Sequence, residues 1–408
     1  MAQLAYSTAW HDADFNAMAY FTKYDFKLYS NFTFFAEDPV NGDEIEQNDN
    51  RMLGGFDARY RKHYHYKGAQ FTTTFGAQVR FDSIDNALYH DKARERLSTT
   101  VKAHIAESQL ALYVEEDMRV RRWLRFILGG RVQRVDVNVD DQMEDTAHLG
   151  NRGSGVKGAM MFLPKAMAVV SPVEQLDLFA SYGVGFHSND ARGAVLAQSP
   201  ATLMTKAVGY EVGARVKPIK DLEFGVAGFL MDLDSELVWA GDAGTTEPSD
   251  RSRRYGVELT GRYRFKNWLF ANLAATFTKA AYRGDAGNGG AVALAPTRTF
   301  SASVGARPTF GDFTPFADIR VKAIGPRPAT EDGSLTAEGF TVVDANAGLR
   351  WKRFEVGVDI QNLFNARWRE VQFATDTRLR YEPKVVSGIH YSPGWPFTAT
   401  GRATVYWR

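Results

Sequence analysis

The amino-acid sequence predicts an all-β protein, a transmembrane antiparallel β-barrel of about 17 strands with short periplasmic turns and long extracellular loops. Three observations carry that expectation. Apolar and polar residues alternate with period two from one end of the chain to the other. The joints between alternating segments are short and long by turns. No apolar run suits a spanning helix: the longest, Ala159 to Val173, is interrupted by Pro164, Lys165 and Pro172.

The segments follow in order. Over residues 255–264, Tyr255, Val257, Leu259, Gly261 and Tyr263 alternate with Gly256, Glu258, Thr260, Arg262 and Arg264. Residues 299–307 set Phe300, Ala302, Val304 and Ala306 against Thr299, Ser301, Ser303 and Arg307. The same rhythm runs through 343–351, 354–361 and 397–407. Short joints fall near Ser171–Gln175, Pro218–Asp221, Phe265–Asn267, Pro308–Asp312 and Lys352. Long polar joints are expected near 37–50, 82–98, 140–156, 188–203, 240–251, 281–295, 325–339 and 365–391.

A bilayer offers no partners for backbone N–H and C=O groups, so spanning strands must close into a sheet. Lipid then selects one apolar face, and the interior takes the polar one. Val343, Leu349, Val356, Ile360, Val405 and Trp407 should therefore face lipid, with Arg350, Glu355, Asp359 and Arg402 inward. A basic side chain on the lipid face costs about 2–4 kcal/mol at the midplane. Tyr263, Phe265, Trp268, Trp351 and Phe354 sit at segment ends, where an interfacial aromatic girdle belongs. A soluble propeller would show a shared motif every 40–50 residues or so, and none recurs here.

Composition removes other classes. Lys+Arg is 49 against Asp+Glu 48, so the chain lacks the basic excess of a nucleic-acid binder. The absence of cysteine excludes disulfides, thiolate metal sites and cysteine nucleophiles. No Gly-x-Ser-x-Gly, His-Glu-x-x-His or Gly-x-x-x-x-Gly-Lys motif occurs, so no enzyme, catalytic residue or cofactor is predicted. His63 and His65 share a strand face, and Asp136, Asn138, Asp140 and Asp141 have oxygen-donor spacing. Neither group by itself makes a metal site, and no metal is predicted. At the end of one strand His187 is followed by Asn189, Asp190 and Arg192. These residues fit either a ligand contact or a hydrogen-bond cluster that orders the loop. Trp239, just before the next long joint, is a further candidate contact.

Several stretches together resemble the TonB-dependent outer-membrane receptors. Most specific is the C-terminal order: an alternating strand, then Val358-Asp359-Ile360-Gln361-Asn362-Leu363-Phe364-Asn365, a long loop, and Pro393-Gly394-Trp395-Pro396 before the last strand, which carries Trp407. Leu178–Asp190, Tyr210–Arg215 and Tyr29–Phe35 with Asp38–Gly42 are similar to other barrel stretches of that family. The resemblance implies an outer-membrane receptor and transporter barrel for TonB-energised uptake of a metal chelate, siderophore-like, or a similar scarce nutrient. Its partners would be outer-membrane lipid and a small-molecule ligand such as a ferric chelate. The family barrel has about 22 strands and a plug. Aligned from the C-terminus, the first strand here would be roughly the sixth. Residues 1–408 are therefore expected to be an N-terminally truncated receptor-like barrel without plug or signal peptide. TonB coupling is expected only of the full-length form, and either a seam or a parallel contact is expected between residues 1–11 and 397–407. The alternative, favoured by length, is a passive porin-like channel of about 16–18 strands.

Overall fold

The computed structural model describes residues 1–143, 153–196, 201–235, 237–240, 245–248, 250–284 and 290–407. Of 237–240 and 245–248 it describes the backbone alone. Parts of the expected long joints 140–156, 188–203, 240–251 and 281–295 thus lie outside the described residues.

The strands run in chain order as β1 (Ala2–Trp10), β2 (Ala13–Ser30), β3 (Glu44–Tyr66), β4 (Ala69–Lys92), β5 (Glu95–Arg121) and β6 (Leu124–Asp141). Next come β7 (Gly155–Val173), β8 (Leu176–Ser188), the helical turn α1 (Ala191–Ala194), β9 (Met204–Ile219) and β10 (Leu222–Leu233). Then follow β11 (Leu237–Ala240), β12 (Thr245–Pro248), β13 (Ser252–Phe265), β14 (Leu269–Tyr282), β15 (Arg298–Ala306) and β16 (Phe313–Ile324). The chain ends with β17 (Arg327–Pro328), β18 (Thr336–Ala337), β19 (Phe340–Trp351), β20 (Phe354–Gln361), β21 (Arg369–Thr377), β22 (Val386–Pro393) and β23 (Thr398–Val405).

Seventeen of these strands form one sheet, an antiparallel meander in which each pairs with the next. The pairs β11–β12, β17–β18 and β21–β22 are two-stranded ribbons within the long loops. Among the described residues, β1 pairs only with β2 and β23 only with β20, so no ladder closes the ring. The expected seam between the first and last strands is present.

The two faces divide as the alternation requires. Val356 is 56% exposed and Val405 41%, while Glu355 between them in phase is 5% exposed. On the inner face, Arg402 Nη1 donates to Glu355 Oε1 at 2.8 Å, and Arg402 Nε lies 3.6 Å from Asp359 Oδ2. Tyr406 Oη donates to Glu355 Oε2 at 3.0 Å. Arg350 stands opposite Glu355 in the β19–β20 register, on the same face. Ion pairs recur along the interior: Arg125 with Asp117, Arg80 with Asp82, and Lys165 with Glu115.

One expectation needs correction. The joint 82–98 is not a long loop: β4 continues to Lys92 and β5 begins at Glu95, with Ala93 and Arg94 turning at φ 52° and 66°. Strands of 24 and 27 residues far exceed the roughly 9–11 that a bilayer needs. Above the membrane no lipid face sets the phase of the side chains, so the ladder persists where the apolar alternation does not. His63 has a carboxylate beside it: its Nε2 lies 3.4 Å from Asp14 Oδ2, an oxygen Arg61 Nε already holds at 3.1 Å. Strand pairing, not sequence proximity, brings them together.

Candidate functional site

The loop between β8 and β9 builds the site. Asp190 caps α1, its Oδ1 accepting from Arg192 N at 2.9 Å. The Arg192 guanidinium turns back onto Asp190, with Nη2 2.6 Å from Oδ2 and Nε 3.0 Å from Oδ1. Its Nη1 donates to Asn86 Oδ1 on β4 at 3.0 Å. Asn189 is buried; its amide donates to Thr205 Oγ1 at 3.0 Å and to the Thr202 carbonyl. A ring nitrogen of His187, Nε2, lies 3.3 Å from the Ser235 carbonyl. The structure therefore pairs Asp190 with Arg192, while His187 and Asn189 make separate contacts in the same loop region, to the Ser235 carbonyl and to Thr202 and Thr205. Trp239 lies on β11, and its side chain is outside the described residues.

This loop lies against the inner wall because that wall is apolar there. Val135, Val137 and Val139 of β6 are essentially fully buried against Ala191, Ala194, Leu203 and Met204. Burying these side chains stabilises the docked loop by the usual 1.5–3 kcal/mol or so for each large one. The sequence held a signal for this. Along β6 the exposed apolar residues are Leu128 and Val132, then the buried ones are Val135, Val137 and Val139. The phase of the alternation inverts although the β6–β7 register runs without a bulge. On the outer face Asp136 is held by Arg134, with Nε and Nη2 both at 2.7 Å.

Below Asn86 the inner faces of β2, β3 and β4 form a recess of about 540 Å³. Tyr24 and Phe26 stack at its edge, ring centroids 6.1 Å apart. Arg51, paired to Asp49 at 2.8 Å, and Gln47 and Leu53 line it further. Asn48 at its wall has a buried Oδ1 without a hydrogen-bond partner. The recess offers aromatic faces, one guanidinium and amides, with Arg192 bridging it to the loop. None of these residues was singled out from the sequence, because they converge only through the β2–β3–β4 register.

A second loop assembly covers the seam at the extracellular rim. Residues 31–43, between β2 and β3, are organised by Asp43. Its carboxylate accepts from Thr33 Oγ1 at 2.7 Å and from the amides of Ala36, Glu37 and Asp38 at 2.8, 3.1 and 2.7 Å. Asp38 is held down to about 2 by the Asn41 backbone N–H, then the Asn41 side-chain amide and the Val40 N–H. This loop docks on the β21–β22 ribbon: Phe35 N donates to Arg378 O at 3.0 Å and Arg378 N to Thr33 O at 3.1 Å. Phe32 meets Phe373 edge-on at 5.5 Å.

The C-terminal motif has a structural role. Asn362 is 1% exposed with φ 51°. Its amide donates to the carbonyls of Ala366 (2.8 Å) and Trp395 (3.0 Å), and its Oδ1 accepts from Ala366 N at 2.8 Å. Leu363 N donates to Val343 O at 2.7 Å. Pro393 ends β22, and a Cβ on Gly394 would stand 2.0 Å from the Trp368 ring. Phe364 and Trp407 are exposed.

A lipid-facing meander with paired charges inside and loops folded onto its inner wall defines an outer-membrane β-barrel of the receptor class. The chain belongs to the TonB-dependent receptor-like β-barrel family, whose family model matches residues 1–363. Solved structures share the fold. The ferric yersiniabactin uptake receptor FyuA from Yersinia pestis matches at TM-score 0.75 and 14% identity, over 99% of this chain and 61% of that one. The ferric citrate transporter FecA gives the same TM-score, identity and coverage. BauA, the ferric preacinetobactin receptor from Acinetobacter baumannii, gives 0.74 and 13%, over 99% and 61%. This chain thus spans about three-fifths of the length of these neighbours. Among curated protein sequences none matches.

Proposed function

We propose that the chain forms the barrel wall and ligand-gathering loops of an outer-membrane receptor that takes up a metal chelate or a similar scarce nutrient. The observation that carries the reading is the inward loop: Arg192 ties α1 to Asn86 at the mouth of the Tyr24–Phe26–Arg51 recess. Aromatic faces and a guanidinium suit a planar or anionic chelate through stacking and charge-assisted hydrogen bonds. The named ligands of the structural neighbours, ferric yersiniabactin, ferric citrate and ferric preacinetobactin, support this chemical class. In the intact protein, transport is energised through TonB.

The test is direct binding. The intact protein in detergent is titrated with ferric hydroxamate, ferric catecholate and ferric carboxylate chelates while tryptophan fluorescence is followed. One class should bind, and Arg51→Ala or Tyr24→Ala should weaken it about tenfold, the loss of about 1.4 kcal/mol. If no class binds and bilayer recordings show a steady ion conductance, the porin reading is correct instead.

A further inference from the structure

The short-turn rim repeats one piece of chemistry. In the β3–β4, β13–β14 and β19–β20 turns a strand ends on an outward aromatic and the next residue is lysine: Tyr66-Lys67, Phe265-Lys266 and Trp351-Lys352. Each lysine has a left-handed backbone, φ 47°, 46° and 52°. Each places its ammonium over the preceding ring, 5.2, 5.2 and 5.6 Å from the centroid. The three aromatics are exposed on the lipid side. Lys352 also lies 3.5 Å from Asp312, an exposed pair.

Tight turns of two or three residues place residues at positive φ, which glycine or asparagine adopts at less cost than lysine. Lysine three times over, in a chain of net charge +1, therefore answers to something other than turn geometry. An interfacial aromatic fixes the depth of each turn in the bilayer. The cation beside it then sits at head-group level, spread around the rim at three places. A zwitterionic lipid supplies its own ammonium for its phosphate, whereas an anionic phosphodiester head group needs one.

We propose that these three turns form a docking ring for anionic phospholipid head groups in the periplasmic leaflet. The phosphate lies against the lysine, and the aromatic packs on the glycerol and upper acyl chain. The partner is lipid rather than free phosphate, because the aromatic half of each site is useful only to a molecule with an apolar part.

The experiment reconstitutes the intact protein in phosphatidylcholine vesicles. Selectivity for spin-labelled phosphatidylglycerol over spin-labelled phosphatidylcholine is then read from the immobilised spectral component. The parent should prefer phosphatidylglycerol, and high salt should reduce the preference. Lys67→Gln, Lys266→Gln and Lys352→Gln should each lower the association constant of its own site about fivefold. The triple variant should lose the preference, and the triple arginine variant should keep it. Heat-modifiable gel mobility identifies folded protein in each sample. A parent without preference, or a folded triple glutamine variant that retains it, overturns the proposal. So does an equal loss from Lys92→Gln, Arg94→Gln and Lys384→Gln at the opposite rim.

Discussion

Asp43→Ala should free the loop that closes the extracellular rim over the seam. The carboxylate is 5% exposed and accepts one hydroxyl and three backbone amides. A hydrogen bond to a charged group contributes about 1.5–3 kcal/mol net, so four would sum to roughly 6–12. That sum is too large, because Glu37 is exposed and Ala36 and Asp38 are only half-buried, so water replaces part of what is lost. Counting Thr33 in full and the amides at a fraction leaves about 3–4 kcal/mol of local stability. The assay is amide hydrogen exchange, in which each 1.4 kcal/mol or so is tenfold in protection. Amides of Phe35, Ala36 and Asp38 should exchange about a hundredfold faster or more. Arg378 N, bonded to Thr33 O, should lose protection with them. Asp43→Asn, which keeps one acceptor oxygen, should fall between. Less than tenfold acceleration at Ala36 and Asp38, with the barrel folded, would refute the assignment of Asp43 as the organiser.

The same loop carries a pH dependence. Asp38 has a folded-state value of about 2, below its ordinary 3.8. Its contribution is complete above about pH 4 and lost as pH falls through about 2, so protection of the Val40 and Asn41 amides should follow that course. Arg192→Ala removes a largely buried pair with Asp190 and the tie to Asn86. Breaking such a pair costs about 3–5 kcal/mol when fully buried, and about 2 is expected here; proteolysis between residues 190 and 196 should report it. Asn362→Ala strands two carbonyls and one amide at a left-handed position, and about 2–4 kcal/mol of barrel stability should go in denaturant titration. Asn362→Gly should recover only the backbone part, well under half.

What was legible in the sequence was whatever the bilayer dictates. Val356, Glu355, Arg402 and Val405 face where their alternation puts them, because lipid tolerates only one phase. The short turns near Ser171–Gln175, Pro218–Asp221, Phe265–Asn267, Pro308–Asp312 and Lys352 were legible as well, since each falls where two alternating runs meet. The long hairpin of β4 and β5 was not, because beyond the bilayer no lipid face sets the alternation of residues 82–98, and polarity there says loop and strand equally. The cluster around Arg192 was visible as a polar run, but its partner Asn86 lies 106 residues away in sequence. The recess was invisible for the same reason: Tyr24, Arg51 and Asn86 are ordinary strand residues until three registers align them. Val135, Val137 and Val139 could have been read as an inverted phase, had the rule that the interior is polar been held less firmly.

The two kinds of residue also differ in what can change between relatives. FyuA shares 14% of its residues with this chain, yet its fold follows 99% of the chain at TM-score 0.75. A ladder of backbone bonds and a lipid face constrain pattern, not identity, so the wall tolerates almost any apolar residue outside and any paired polar one inside. No such tolerance applies where a side chain meets a ligand or a loop. Arg192 cannot become lysine and keep both Asp190 and Asn86, because only the planar guanidinium presents donors in the required fork. Tyr24 and Phe26 offer ring faces that an aliphatic residue lacks. On the function proposed above, ligand choice would reside in a few inward residues at the upper ends of β2, β3 and β4 and in the loop sealed above them. The remainder of the barrel supplies the rigid frame that keeps those residues in register.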